Sequence, residues 1–478
     1  MLFQRLKLYS EVQPHKVALA FETQIITYEE LWALVVTGDR THNPNSLTSD
    51  EVYSSLTSEQ TYTSRTSEQA YSSWTSEKVY PSLTPANGSL VELIQTDDAK
   101  EELVRWLRAL YGKRRPIICH TDLSEARYKA LIERYGFISE GAYFTSRQEI
   151  PEAASFGVLT SGTTGLPKVL WRSLRSWVDF FEEQNCVFKV NQDSLLFVHG
   201  SMSFTGNLNA LLSALYAGAT TVVGKILRPK HWYEVLKEWH ITHLYILPTK
   251  LRMLLPCMKE TLESLKIIFT GSQLLDYKLV LNLKKQQPQT ECILYYGASE
   301  LNYITYCTFD EWLQEPNTVG YPFKGVTISL DEDHCIEVDT PYGIEGISRP
   351  FTVHDRGEFS PTGRLLFKGR ADAIINRGGY KLSLPYLESQ LLCIEGIADV
   401  VVLAVTDELR GEQPIAFIVP ENMGLKKEIL QHIHHTFLPK ECPRQIIWLD
   451  AMPLTNASKI DLNALRRLYG EAKEGCNI

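Results

Sequence analysis

The chain has 478 residues, 44% hydrophobic and 22% charged, which is the composition of an ordinary globular protein long enough for two or three domains. Its 48 Lys and Arg against 57 Asp and Glu give a formal net charge of −9, which argues against duplex nucleic acid as the main partner, because such binding depends on neutralising phosphates. Nine scattered cysteines without a Cys-x-x-Cys pair indicate reduced thiols, and no long apolar run occurs, so we expect a cytoplasmic protein with no transmembrane segment.

The first predicted elements are two short strands and a helix within residues 16–37. Thr27 and Glu30 form a capping-box pattern at the start of this helix. From residue 47 the chain then repeats with a period of nine, each copy holding Thr-Ser, an acidic residue and a tyrosine. The copies have few aliphatic residues, so we predict a low-complexity, solvated insertion over 41–88 rather than a stacked solenoid; a docking or modification segment is the other interpretation.

Strand and helix patterns alternate from about residue 89 to residue 297. Examples of the strands are LLFVH at 195–199 and TTVVG at 220–224. This order predicts an α/β fold with parallel sheets that helices cover on both faces. Ligands of such folds bind beyond the carboxyl ends of the strands, where we find the glycine loops TGS at 270–272 and YGASE at 296–300.

The pattern changes after about residue 318 to short strands with polar turns, which predict a small β-barrel-like subdomain. A last α+β stretch runs to the end of the chain. We therefore predict a large N-terminal domain over 1–370, built of parallel α/β subdomains and the small β-subdomain. A small C-terminal domain over 371–478 follows it.

The run TSGTTGLPK at 160–168 combines hydroxyls, glycines and a lysine. Backbone N–H groups in such a loop converge on an anion, and the lysine adds a positive charge. A Walker loop requires Gly-Lys-Ser/Thr, whereas here the lysine lies between proline and valine. The candidate phosphate-binding residues are Thr160, Ser161, Gly162, Thr163, Thr164, Gly165 and Lys168.

This run resembles the phosphate loop of the adenylate-forming superfamily of AMP-binding enzymes, which includes acyl-CoA synthetases and the adenylation domains of peptide synthetases. Further motifs of that family follow in the family's order and cover most of the chain apart from the repeat. The resemblance implies ATP, Mg²⁺ and CoA as cofactors and co-substrates, and a C-terminal domain that is mobile between two half-reactions.

The stretch YYGASE resembles the family's Tyr-Gly-x-Thr-Glu motif. The resemblance implies that Tyr296 stacks on adenine, that Ser299 contacts phosphate and that Glu300 is a catalytic residue holding Mg²⁺. A lone carboxylate in a glycine loop at a strand end also suits Mg²⁺ chemically. Further residues implied to line the nucleotide pocket are Gly271, Ser272, Gln273 and Gly297.

Later motifs add the ribose site, the hinge and the thiol path. Asp355 lies where the family binds ribose, although Val353-His354 precede it in place of Thr-Gly. The GRAD sequence matches the family's Gly-Arg-x-Asp, which implies that Arg370 contacts ribose or phosphate and that Asp372 is the hinge. Gly378 and Gly379 match the segment that lines the pantetheine tunnel of the family.

Near the end of the chain, PLTNASKIDL resembles the family's Pro-x-Thr-x-x-Gly-Lys-Ile stretch, which makes Lys459 the catalytic lysine. Ser458 replaces the usual glycine, and Tyr386 replaces a glutamate of another family motif. Together with Val353-His354, these departures motivate the second alternative, an inactive homologue that still binds adenylates.

The substrate is expected to be a small-molecule carboxylic acid. Amino-acid-activating members carry an aspartate after the phenylalanine of the acyl-pocket segment, but Thr205 follows Phe204 here, and a buried ammonium without a partner would be costly. His199 lies too early for the pocket histidine of acyl-CoA synthetases and is interpreted as structural, and Arg172 stands where many relatives have histidine. We expect an acyl-CoA synthetase; adenylation with transfer to the phosphopantetheine of an acyl carrier protein is the first alternative.

Overall fold

A computed structural model describes most of the chain outside the predicted insertion. The described residues are 1–22, 24–37, 90–121, 123–141, 143–160, 167–273, 275–370, 373–377, 380–407, 411–455 and 460–475. The insertion predicted over 41–88 lies outside these ranges and stays a prediction.

The described residues include 24 strands. In chain order they are β1 (Val17–Ala20), β2 (Ile25–Thr27), β3 (Val91–Ile94), β4 (Arg115–Ile118), β5 (Phe137–Glu140), β6 (Tyr143–Ser146), β7 (Phe156–Thr160), β8 (Lys168–Arg172), β9 (Leu195–His199), β10 (Thr220–Gly224), β11 (His243–Tyr245), β12 (Ile267–Gly271), β13 (Glu291–Ala298), β14 (Asn302–Thr308), β15 (Thr318–Pro322), β16 (Thr327–Leu330), β17 (Cys335–Asp339), β18 (Phe351–Phe359), β19 (Leu365–Arg370), β20 (Ile374–Arg377), β21 (Tyr380–Ser383), β22 (Ile397–Asp407), β23 (Gly411–Pro420) and β24 (Gln445–Trp448).

Helices connect and cover these strands. They are α1 (Leu2–Val12), α2 (Tyr28–Val36), α3 (Ala99–Tyr111), α4 (Glu125–Tyr135), α5 (Arg175–Val178), α6 (Phe181–Val187), α7 (Thr205–Ala217), α8 (Pro229–Glu238), α9 (Pro248–Leu254), α10 (Tyr277–Gln286), α11 (Phe309–Gln314), α12 (Leu384–Leu392), α13 (Lys426–Thr436) and α14 (Leu462–Gly475). The capping box predicted for Thr27 and Glu30 is present at the start of α2. In the ranges given above, no helix has both the length and the apolar character needed to cross a lipid bilayer.

The largest sheet contains 13 strands within the described residues, in the order β16-β17-β18-β19-β15-β14-β13-β12-β11-β9-β10-β1-β2. Its centre is parallel: β10, β9, β11, β12 and β13 pair side by side in the same direction. Every residue of β10 and of β12 is buried, as expected for central strands of a parallel sheet that is covered on both faces. The predicted α/β fold is confirmed.

Strands β15 to β19 form the small β-subdomain predicted after residue 318. They pair antiparallel with one another and continue the 13-stranded sheet through the β14–β15 pair. A second sheet has the order β5-β6-β3-β4-β7-β8 and carries the hairpin that flanks the predicted phosphate loop.

Helix α7, which follows strand β9, is enclosed along most of its length. Every residue from Asn207 to Tyr216 is buried, polar side chains included. The helix ends at Gly218, whose φ of +79° is left-handed and where a Cβ would lie 2.7 Å from the ring of Tyr9. A buried helix with polar positions requires partners for them inside the protein.

The residues after 373 build apolar clusters of their own. One joins α12, α13 and strands β22 and β23, and a second joins β22 and β23 to Leu465 of α14. The smaller C-terminal unit is therefore α+β, as expected. Its predicted boundary at 370/371 stays a prediction.

The two parts of the chain meet at a buried group of charges. Arg252 of α9 donates to Asp276 at 2.8 Å and to Asp399 of β22 at 3.4 Å. Glu388 of α12 accepts from the backbone N–H of Val402 at 2.7 Å. Burial, followed by repulsion from Asp399, raises the pKa of Glu388 to about 7. The Arg252 guanidinium thus binds the carboxylates of both Asp276 and Asp399 at this contact.

The pKa of Glu388 predicts a pH-dependent stability. Because its pKa in the folded state lies above the ordinary value of 4.5, the stabilisation is fully present at low pH and is lost as the pH rises through about 7. We expect Glu388→Gln, which keeps the acceptor for Val402, to flatten the decline in the free energy of unfolding between pH ~5 and ~8.5. Urea unfolding across that range measures this. The exposed Glu395→Gln is the control and should behave like the parent protein; equal curves for both variants would contradict the assignment.

Candidate active site

The carboxyl ends of the central parallel strands lie together at one edge of the sheet. Gly271, the last residue of β12, pairs with Tyr295 of β13. The loops TGS and YGASE, which follow from these two strands, are therefore neighbours. This is the edge at which ligands of parallel α/β sheets bind.

The TGS loop is held closely against β13. A Cβ on Gly271 would lie 2.4 Å from the carbonyl oxygen of Tyr295, so only glycine fits there. Ser272 has a φ of +62°, a conformation that is costly for a residue with a side chain. The carboxamide oxygen of Gln273 accepts from both the N–H and the hydroxyl of Thr249 at 3.0 Å. These contacts hold the TGS loop against β13 and α9.

Tyr296, Asp355 and Arg370 converge although they come from three different strands. The Tyr296 hydroxyl donates to Asp355 at 2.7 Å, and register places Asp355 opposite Arg370, whose Nε lies 3.9 Å from the other carboxylate oxygen. Asp355 is only 8% exposed. Burial and the nearby Asp355 carboxylate raise the pKa of Tyr296 well above its ordinary value, so the hydroxyl stays a donor. The structure thus brings together three predicted site residues.

The unusual residue before Asp355 is accommodated by its backbone. His354 has a φ of +62°, the left-handed region that glycine occupies without strain. The N–H of His354 donates to the Thr352 hydroxyl at 3.0 Å. With this backbone conformation at His354, the Asp355 carboxylate accepts from Tyr296.

Arg172 fixes the loop that carries Ser299 and Glu300, and sequence reasoning missed this role. The guanidinium is fully buried; it donates to the carbonyl of Ser299 at 2.8 Å and to that of Tyr342 at 3.0 Å. A third hydrogen bond reaches the Ser176 hydroxyl at 3.0 Å. The pKa of Arg172 is lowered to about 9. Burial lowers it, and the negative charge of Glu300 acts in the opposite direction. Arg172 therefore supports Glu300 both sterically and electrostatically.

The Ser299 side chain points to helix α7. Its hydroxyl lies 3.5 Å from the hydroxyl of Thr205, the first residue of α7. Gly297 passes close to the neighbouring strand, because a Cβ there would lie 2.5 Å from the carbonyl oxygen of Asn302. Glu300 is half-buried beside these groups, and its carboxylate is a ligand type suited to Mg²⁺ next to phosphates.

A buried histidine, His199, and a buried lysine, Lys250, contact each other at the carboxyl end of strand β9. His199 is 3% exposed, and its Nε2 lies 3.1 Å from the carbonyl oxygen of Ile226; burial lowers its pKa to about 3. The Lys250 ammonium donates to the His199 carbonyl at 3.0 Å, and burial lowers its pKa to about 7. These contacts agree with the structural role expected for His199. Lys250 was not foreseen, since nothing in the surrounding ILPTKL marks it as buried.

Thr160 and Lys168 stand at the open end of the β7–β8 hairpin, directly opposite each other in register. Lys168 is exposed. The loop between them lies largely outside the described residues. The predicted residues outside the description are Ser161, Gly162, Thr163, Thr164, Gly165, Asp372, Gly378, Gly379 and Lys459. Their roles stay predictions.

Two family models match this chain. The model described as "AMP-binding enzyme" matches residues 91–346, and the one described as "AMP-binding enzyme C-terminal domain" matches residues 386–459. Together they span both parts of the fold, and the first alone covers more than half of the chain.

Relatives and solved structures agree with these models. A Staphylococcus haemolyticus protein with the provisional name long chain fatty acid-CoA ligase is 24% identical over 69% of this chain and 73% of its own. An uncharacterized acyl-CoA ligase of Bacillus subtilis is 26% identical over 67% of this chain and 70% of its own. The o-succinylbenzoate CoA synthetase of Bacillus subtilis, solved with its acyl-adenylate intermediate, is 16% identical, with a TM-score of 0.74 over 97% of both chains.

Proposed function

Because this chain belongs to the family of AMP-binding enzymes, we propose that it is an AMP-forming acid–thiol ligase. In the first half-reaction it would join a carboxylic acid to AMP and release pyrophosphate. In the second it would transfer the acyl group to the thiol of CoA and release AMP.

The contact between Tyr296 and Asp355 carries this proposal. The two residues are 59 positions apart, and a 2.7 Å hydrogen bond joins them beside Arg370. An aromatic ring next to a buried carboxylate and a guanidinium suits a nucleoside monophosphate: a ring face for the base, an acceptor for the ribose hydroxyls and a cation for the phosphate. The departure from the family motif at Val353-His354 was one argument for an inactive homologue. That argument is weaker because His354 takes a backbone conformation typical of glycine.

The phosphates would lie between the hairpin and the YGASE loop. Residues 160–165 would surround the β- and γ-phosphates with N–H groups and hydroxyls, and Lys168 would add charge. The Glu300 carboxylate fits Mg²⁺ by its chemistry, and bound Mg²⁺ would supply positive charge to the triphosphate. Arg172 would keep Glu300 in place through the Ser299 carbonyl.

The first half-reaction requires charge stabilisation rather than a base. An oxygen of the already ionised acid forms a bond to the α-phosphorus while the bond from that phosphorus to the bridging oxygen breaks, so pyrophosphate leaves with the electron pair. Negative charge grows on the phosphorus centre, and Lys459 would neutralise it.

In the second half-reaction the thiolate of CoA would attack the acyl carbonyl. A C–S bond forms, the bond to AMP breaks, and the thiol proton goes to solvent. Gly378 and Gly379 would leave room for the pantetheine arm, since a side chain there would obstruct it. Asp372 would be the hinge about which the C-terminal domain turns to exchange Lys459 for this path.

A pyrophosphate-release assay tests the function. We expect release from ATP and Mg²⁺ to depend on an added acid, and a thioester to appear when CoA is supplied. A reaction without acid is the control. Thioester formation on a phosphopantetheinylated carrier protein but not on CoA would replace the proposed acceptor. Nucleotide binding without pyrophosphate release over a broad panel of acids would show an inactive homologue.

A further inference from the structure

A polar stripe runs along helix α7 from the predicted active site into the protein interior. Thr205, Asn209 and Ser213 are spaced four residues apart and so lie on one face of the helix. At one end, Thr205 faces the Ser299 hydroxyl at 3.5 Å. At the other end, the Ser213 hydroxyl accepts from the Gln184 carboxamide at 2.9 Å. Asn209 lies between these two contacts, one turn deeper than Thr205.

Asn209 has a buried amide whose hydrogen-bonding groups are unused by the described residues. The side chain is 2% exposed, and neither its oxygen nor its nitrogen has a partner in the part of the chain that the structure describes. Asn207 on the same helix is a contrast, since its amide donates to the carbonyls of His199 and Ser201. A buried amide without partners is costly to the fold. A ligand that supplied the missing hydrogen bonds would remove this cost.

A pair of hydrogen-bonded tyrosines lies against helix α7. The hydroxyls of Tyr245 and Tyr295 are 2.8 Å apart, and both side chains are almost fully buried. A Cβ on Gly206 of α7 would lie 2.2 Å from the Tyr245 hydroxyl, so helix and ring are already in contact. Behind them, the rings of Phe188 and Phe269 stack at 4.4 Å. An extended alkyl chain would have to displace these rings.

On this basis we propose that the acid is short and carries a hydrogen-bonding substituent, which the Asn209 carboxamide binds; this rests on the function proposed above. One helical turn is about 5.4 Å, so an acid whose carboxylate lies near Ser299 reaches Asn209 with about two to four carbons. Hydroxy acids, oxo acids and short dicarboxylic acids meet both conditions. Asn209 is then a specificity-determining residue, and the tyrosine pair limits chain length.

The relative from Staphylococcus haemolyticus carries a name that refers to long chain fatty acids. The packed side chains of Tyr245 and Tyr295 predict a different acid for this chain. A panel that includes octanoate and palmitate therefore tests the inference directly.

The first experiment compares chain-matched acids on the full-length enzyme by pyrophosphate release. We expect kcat/KM for lactate, 3-hydroxypropionate or malonate to exceed that for propionate by about tenfold or more, because a site built around a polar group rejects the analogue that lacks it. Octanoate and palmitate should give no release above background. Preference for propionate or for a long-chain acid would overturn this inference and leave the proposed function intact, whereas no release with any acid would overturn both.

The second experiment uses Asn209→Leu, which keeps a branched side chain of four heavy atoms and removes both hydrogen-bonding groups. The melting temperature should be unchanged or higher, because an unpaired buried amide is lost, and the tenfold preference should fall to about one. Asn207→Leu is the matched control: it removes used hydrogen bonds, so it should lower the melting temperature and leave the preference unchanged. An unchanged preference in Asn209→Leu would refute the role of Asn209. If that variant does not fold, the panel on the parent enzyme still decides.

Discussion

Lys459→Ala is expected to lower acyl-AMP formation by about 10²–10³-fold or more, the size of loss seen when one transition-state donor is removed from an active site. The physical reason is the negative charge that grows on the α-phosphate as pyrophosphate leaves. Thioester formation from supplied acyl-AMP should stay largely intact, because the phosphorus centre does not react in that step. Pyrophosphate release measures the first half-reaction, and CoA consumption with synthetic acyl-AMP measures the second.

Lys427→Ala provides the matched control for this prediction. Lys427 is an exposed lysine on α13 in the same part of the chain, so its loss changes the net charge equally. Both half-reactions should proceed in this variant at the parent rate. An equal loss of both half-reactions in Lys459→Ala would contradict the role assigned to that lysine.

Arg172→Met should lower the free energy of unfolding by about 3 kcal/mol and remove most pyrophosphate release. Methionine fills a similar length but leaves the carbonyls of Ser299 and Tyr342 without their donors. The loop that presents Glu300 then loses its support, so the chemistry fails together with the stability. The stability and activity of Arg172→Lys should lie between those of the parent protein and of Arg172→Met, because one ammonium cannot reproduce the planar set of donors. Urea unfolding and pyrophosphate release are the two measurements.

Arg175→Met is the comparison for this variant. Arg175 is an exposed arginine whose side chain is 84% accessible and pairs with Asp179 one turn further on. Exposed pairs contribute little, so we expect a change below about 0.5 kcal/mol. If Arg172→Met were as mild as Arg175→Met, the support of the loop would have to come from elsewhere.

The strands of the central sheet could be predicted from sequence because burial on both faces leaves an unmistakable pattern. The runs at 195–199 and 220–224 coincide with β9 and β10. The capping box at Thr27 could also be predicted, because its contacts join residues only three positions apart. Local and periodic signals need no knowledge of the fold.

The missed features depend on contacts between distant segments. Arg172 was visible only as a departure from a histidine, yet its partners lie 127 and 170 positions away. The salt bridge from Arg252 to Asp399 joins segments 147 positions apart. Asn209 looked like any polar residue of a helix, and only the packing around it leaves its amide buried. Distances of this kind follow from how sheets and helices pack, which no short pattern encodes.

The central claim, activation of a carboxylic acid as an acyl adenylate, is tested most directly by exchange of labelled pyrophosphate into ATP without any thiol. This reaction isolates the first half-reaction and does not depend on the identity of the acceptor. We predict exchange that requires both Mg²⁺ and an acid, highest with short hydroxylated acids or short dicarboxylic acids. Acid-independent exchange, or none with any acid despite bound ATP, would contradict the account.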